Sequence, residues 1–521
     1  MTGKTNNIFL KLLTVCCITT SPAVASEVLL AKDQLSSIGV LGWIAPDLDL
    51  PDPDPTLPIV TEDAKNPATV LLRRFQAMGR AGGFEGVIYD NRDRGHSRLP
   101  QEQFPQLAHL EYGPELREAN LDYGLAGRII LPFIVFGNSS TAVTQKPINR
   151  SQARFAMTSV GGPERAFLTY SNNHLYIYPE HRDHDEVDLF PANWPYMIIS
   201  QGSSHSDKPF IQALAMTLAA LPVETREFLR EKRLIAPTLQ MILRRNQTAT
   251  YRLEQYLSPA AHPTVFERKN LQPERMVAMA ADLKPADIPP MVRLAVEQED
   301  FSEAAGLAGL SEHLFDTPSA IARVWRSEAY SREMIVTADK TQDPNDLPLT
   351  FKWVLLRGDP AKVRIKPLDD TGQKARIEID WHEARPINPM TDRMTDRVDV
   401  GVFAWNGVNY SAPAFISVSF PRHQSRDYQP VGADPAMRLV SVDYSNMHNA
   451  YVDPLLHWTA SWRDEFGYDD QGRRVEWHRV MPNETLVLQG PGVEGRSLPP
   501  SHRLENLTKQ PRLVMETPSD P

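Results

Sequence analysis

The sequence predicts a multidomain protein in which an α+β domain, a mixed sheet with helices, spans residues 61–330 and precedes a β-sandwich at 334–420. Three observations carry that reading. Apolar runs between 84 and 200 are short and rich in β-branched and aromatic residues. From 209 to about 330 the apolar spacing turns helical, and past 334 it alternates with period two between turn residues. Strands first and helices later suggest α+β more than a regular βαβ series.

The first 25 residues carry Lys4 and Lys11, an apolar core from Leu12 to Ile18 and Ala23-Val24-Ala25. That order is the charged, apolar, small-x-small pattern of a signal peptide cut near Ala25, so the expected location is periplasmic or extracellular. LTVC, ending at Cys16, is a weaker match to a lipoprotein acylation box, because Val15 is bulkier than the small residue expected there. Cys16 and Cys17 are the chain's 2 cysteines and fall in this leader, so the mature chain is expected to work without thiolates or disulfides. No later run has the roughly 20 apolar residues of a membrane span. Residues 1–25 hold two lysines and no acid, so their removal takes the formal charge from −10 to −12. That balance argues against nucleic acid or anionic membrane as a partner.

Residues 26–60 read as an acidic, proline-rich spacer, in which APDLDLPDPDPTLP, Ala45 to Pro58, alternates acid and proline. PATVLLRRFQAMGRA (67–81) has helical spacing and a glycine stop. Strands are expected at 84–89, 128–136, 153–160, 165–171, 174–179 and 196–200, with Asn172-Asn173 as a hairpin turn. FIQALAMTLAAL, VETREFLREKRL, PERMVAMAADL and PSAIARVWRSEAY then read as helices.

The run DPNDLPLTFKW, Asp343 to Trp353, resembles the Asp-Pro-Asp-Gly-Asp-Pro-Leu-Thr-Tyr-x-Trp signature of PKD and cadherin-like modules, with Asp346 in place of the glycine. The resemblance covers about 334–420. It implies an immunoglobulin-like β-sandwich serving as an extracellular spacer or binding module, and it brings no catalytic residues. Trp353 is expected inward on a strand, and Asn406-Gly407 marks a hairpin. Residues 421–489 form a mixed extension with Trp458, Trp462 and Trp477, and 490–521 reads as a poorly ordered tail.

Four apolar runs end in polar clusters: DNRDRGHSR, GNSST, EHRDHDEVD and QGSSHSD. Parallel strands bind ligands beyond their carboxyl ends, and with three or more strands parallel, Asp90, Asp93, His96, Asn138, His181, His184, Ser204 and Asp207 would converge on one edge. Ser204 sits in a small-x-Ser-x-small turn suited to exposing a nucleophile, with Asp90 and His96 as catalytic partners and Asn138, Ser203 and Asp207 as binding groups. The competing account has Ser206 or Asp207 capping a helix with Pro209 in its first turn. His181 and His184, three apart, with Asp183 between them, are candidate ligands for a divalent metal, zinc or calcium. The functional expectation is an exported protein that binds or hydrolyses an extracellular polymer, glycan or peptide, or binds a small anionic ligand. The alternative is a non-catalytic surface adhesion or scaffold protein.

Overall fold

The computed structural model describes residues 26–490 except 64, 126–128, 140–141, 146–147, 389–390, 423, 433 and 445–460, together with 502–505 and 512–515. The expected leader, Trp458 and most of the 490–521 tail lie outside these residues.

The N-terminal sheet has six strands in the order Glu27–Leu30, Ala108–Tyr112, Val87–Asn91, Ile134–Asn138, His174–Pro179 and Ile198–Ser200. Every pairing in it is parallel, where a mixed sheet was expected. The central strands are apolar almost end to end because both faces are covered, as parallel sheets require. Helices Pro67–Ala77, Lys208–Ala220 and Pro273–Asp282 pack together, the second of them against Ile134–Asn138. Helices Gln152–Thr158 and Gly162–Tyr170 pack against His174–Pro179.

Those last two helices replace the strands expected at 153–160 and 165–171. Short buried apolar runs look alike in either state, and here Ser151 caps the first helix by accepting from the Arg154 N–H at 3.0 Å. Asn173 does take a positive φ of 64°, but just beyond the Gly162–Tyr170 helix and not in a hairpin. With no hairpin there, His174–Pro179 runs parallel to its neighbours Ile134–Asn138 and Ile198–Ser200. Gly137 allows two of them to close: a Cβ there would meet the Asp90 carbonyl at 2.1 Å and the Tyr176 ring at 2.7 Å. The spacer also differs from expectation at its start, since Glu27–Leu30 is the sheet's edge strand.

Further along, a four-stranded and a five-stranded sheet enclose a core containing Trp325, Trp381 and Phe420. Strands Ala295–Glu299, His313–Thr317 and Ala320–Val324 belong to these sheets, so the helix expected at 318–330 is instead a strand and the β texture begins well before 334. Trp353 is only half-buried, its indole N–H donating to the Gly372 carbonyl at 2.7 Å, whereas Trp325 is fully buried. Asp346, in the signature's glycine position, has φ 58°. Phe315, Ala320, Ala322, Phe403 and Ala412 join the same apolar cluster as the parallel sheet, so the five-stranded sheet shares a core with it. Strands Ser425–Val431, Asp434–Asp443, Arg463–Tyr468, Arg474–Val480 and Thr485–Gln489 form an antiparallel sheet, with Trp462 and Trp477 buried. Among the described residues, no helix is long and apolar enough to cross a membrane.

Candidate functional site

Strand order reverses between Val87–Asn91 and Ile134–Asn138, and at such a switch point a crevice opens beyond the carboxyl ends. The loops bounding it hold non-glycine residues in the left-handed region: Arg94 (φ 52°), Ser97 (54°), His181 (47°), Arg182 (73°) and His205 (73°). Such backbone costs of order 1–3 kcal/mol per residue and persists only where the surroundings enforce it.

At the centre stands Asp207, 0% exposed. Its Oδ2 accepts from Asn138 Nδ2 at 2.9 Å, and Asn138 Oδ1 accepts from the Tyr89 hydroxyl at 2.6 Å. The Tyr89 oxygen in turn accepts from the Leu99 N–H at 3.1 Å. Asp207 Oδ1 has no hydrogen-bond partner among the described residues. Burial pushes this carboxyl up, with the nearby Ser97 hydroxyl and the Asn138 amide acting against the shift. Ser97 is 3% exposed, accepts from the His205 N–H at 3.1 Å and lies 3.4 Å from His205 Nδ1. The exposed imidazoles of His205 and His96 stack at 5.9 Å. A chain of polar groups therefore runs from a buried carboxyl through a buried hydroxyl to an exposed imidazole. Asp207 precedes the helix Lys208–Ala220, yet its side chain makes no capping bond.

Glu180, buried at the end of His174–Pro179, accepts from the N–H groups of Gly202 and His184, each at 3.0 Å. Burial pushes its carboxyl up to about 7. A cleft of 590 Å³ is lined by Tyr89, Asn91 and His109 among others, with Arg94, Gly95 and Arg98 of the loop carrying Ser97 in its wall. Arg94, Arg98 and Arg117 in its wall balance Glu111, Glu118 and Asp122. Pairs form at 3.1 Å (Arg94–Asp122), 2.9 Å (Arg98–Glu111) and 2.7 Å (Arg117–Glu111). His109 is 1% exposed with no hydrogen-bond partner on either ring nitrogen among the described residues, and burial lowers its pKa to about 3, so the wall contributes a neutral ring.

The residues expected to share a site divide. His96, Asn138 and Asp207 meet in the crevice. Asp90 does not, because successive strand side chains alternate between faces and Tyr89 takes the crevice side. Asp90 instead accepts from Tyr112 (2.9 Å), Tyr176 (2.6 Å) and Arg92 (2.9 Å) in a closed, buried set. Ser203 and Ser204 are exposed, and the Ser204 hydroxyl has no partner among the described residues, so nothing activates it as a nucleophile. Asp183 is held by Arg154 at 3.2 Å and by the Ser151 N–H at 2.7 Å. His184 is buried and kept neutral, its pKa lowered to about 4 by burial against the pull of Asp188. His181 lies on the strained loop. Among the described residues, no group of three His, Cys, Asp or Glu side chains is placed to hold a metal ion. Ser97, His205 and Glu180 were not singled out from the sequence. Their signal lies inside the polar clusters, and their roles depend on which strands are neighbours.

No protein-family model and no curated protein matches the chain. Among solved structures, the chain is similar to the N-terminal Ig1-2 module of Drosophila receptor protein tyrosine phosphatase DLAR (TM-score 0.13, 8% identity, 38% of this chain and 98% of that one). It is also similar to a nucleoside hydrolase-related hypothetical protein from Saccharophagus degradans that is associated with carbohydrate metabolism (TM-score 0.20, 8% identity, 65% and 100%). A third is the endo-fucoidan hydrolase MfFcnA9 from glycoside hydrolase family 107 (TM-score 0.15, 8% identity, 94% and 98%). These scores are too low to define a common fold.

Proposed function

We propose that the protein is an exported hydrolase acting on a neutral, polyhydroxylated substrate, a glycan, with His205 as its general acid–base. The observation that carries this is Asp207: a buried carboxyl with a free oxygen and a raised proton affinity, linked by Ser97 to an exposed imidazole. Such a carboxyl stabilises the imidazolium formed when His205 takes a proton from water. The water oxygen adds to the carbon of the scissile bond, and the proton passes to the departing oxygen. Ser97 is too enclosed to attack an external substrate, so it is a positioning residue. The cleft supports the choice of substrate, because three cations against three acids leave no net charge to recruit an ion while offering many fixed donors and acceptors to hydroxyl groups. The β-sandwich, in this reading, is a spacer or binding module of the PKD kind. The test is a panel of glycoside, ester, sulfate and peptide substrates incubated with the mature protein. Turnover of a glycoside is expected, whereas glycan binding without turnover of any substrate would favour an adhesion protein.

A further inference from the structure

Outside the crevice, the chain carries a second polar recess of 150 Å³ where the helix Ile235–Arg245 ends beside the helix Pro273–Asp282. Arg245, Arg252 and Arg275 line it together with Thr250, and among the described residues no acidic side chain does. Arg245 donates to Asn409 Oδ1 at 2.6 Å, and its guanidinium lies over the Tyr256 ring at 5.9 Å. Arg275 donates to the carbonyls of Gln247 (3.1 Å), Arg245 (3.3 Å) and Thr250, and stacks on Tyr251 at 4.7 Å. These partners are neutral, so three guanidinium charges converge with no counter-charge in the recess, in a chain whose formal net charge is −10. The carbonyl end of a helix opposes an anion with roughly half an elementary charge, well short of three. Arg275 occupies the last of those carbonyls, that of Arg245. Thr250 is 2% exposed and its hydroxyl has no partner among the described residues, which leaves a buried donor at the recess. The volume is about five times the ~30 Å³ share of one water molecule, enough for a tetrahedral oxyanion and its attachment point.

We propose that this recess is an oxyanion site for a sulfate or phosphate group, held by Arg245, Arg252, Arg275 and the Thr250 hydroxyl. Tetrahedral oxyanions match the forked donors of arginine. The mature protein is titrated with sodium sulfate and sodium phosphate against sodium chloride at equal ionic strength, with thermal unfolding as the readout. A saturable rise in Tm is expected with sulfate or phosphate and none with chloride. Arg252→Gln, at an exposed position, and Thr250→Val should each weaken that response at least tenfold while leaving the anion-free Tm of Arg252→Gln unchanged. A second arm compares glucose 6-sulfate, glucose and inorganic sulfate. Tighter binding of the monoester identifies the group as one carried on a larger ligand, and equal binding identifies the free anion. Equal shifts with chloride and sulfate, or an unchanged sulfate response in Arg252→Gln, would overturn the site.

Discussion

Asp188 and Asp207 are both 0% exposed, and they differ in what surrounds them. Asp188 lies where the parallel-sheet region meets the sandwich. It accepts from Arg357, from the Phe190 N–H at 3.0 Å and pairs with Arg397 at 3.1 Å. Arg397 also holds Asp399 at 2.8 Å, and Asp399 takes the Ser417 hydroxyl at 2.7 Å. Two acids face two bases and every charge is answered. Burial alone would raise the Asp188 carboxyl, and Arg397 and Arg357 more than reverse it, holding it well below the usual range. Among the described residues Asp207 has no cation of that kind, only Asn138, the nearby Ser97 and an oxygen without a hydrogen-bond partner, and burial pushes its carboxyl up. Burial of an acid therefore does not mark a site by itself. The missing partner does, because an incompletely satisfied group is kept against its cost.

The largest effect expected from this contrast is at the satisfied cluster. Asp188→Ala strands Arg357 and Arg397 in a closed interior and should cost about 3–5 kcal/mol in chemical denaturation. A cost under about 1 kcal/mol would mean the cluster is not the closed network described. Next is Tyr89→Phe, which leaves the Leu99 N–H and Asn138 Oδ1 unpaired and should lower stability by about 1–3 kcal/mol. An unchanged melting temperature would show that Tyr89 does not hold the Asp207 chain in place.

Glu180 sharpens the comparison through pH. Its carboxyl rises from the ordinary 4.5 to about 7 on folding, so between those values the native state binds more protons than the unfolded one. Its contribution to stability is therefore most favourable at acid pH and falls as pH rises through that window, then levels off. Glu180→Gln should remove this component, seen as a flatter profile of unfolding midpoint against pH between about 4.5 and 7 than in the parent. Parallel profiles would place Glu180 in a wetter setting than its two N–H contacts suggest. The smallest effect belongs to Ser204→Ala, where stability should stay within about 0.5 kcal/mol and turnover should not change. Loss of turnover there would restore Ser204 as the nucleophile.

The positions of Asn138 and Asp207 at or beyond the strands' carboxyl ends were legible because each follows an apolar run. The segment 152–170 was not legible as helix, since its short apolar stretches fit either state until the Ser151 cap and the neighbouring sheet decide. That one misreading turned Asn173 into a hairpin and hid the parallel order, and with it the pairing of Ser97 with His205 across 108 positions of chain. Alternation along Val87–Asn91 then sent Asp90 and Tyr89 to opposite faces, a distinction that depends on which layer lies above the sheet. The Asp188 cluster draws its charges from residues 188, 357, 397 and 399, and no local pattern joins positions that far apart. Trp325 rather than Trp353 fills the sandwich core because Ala320–Val324 is a strand of that sandwich.

Asp207 is placed to stabilise the His205 imidazolium through Ser97 and not to hold the fold together. Asp207→Asn, assayed side by side for unfolding and for turnover on a glycoside substrate, tests it most directly. Stability within about 1 kcal/mol of the parent is expected, with turnover reduced by roughly 10²–10⁴-fold, the worth of the His205 acid–base step that Asp207 supports. Full turnover in Asp207→Asn, or a stability loss as large as that of Asp188→Ala, would contradict it.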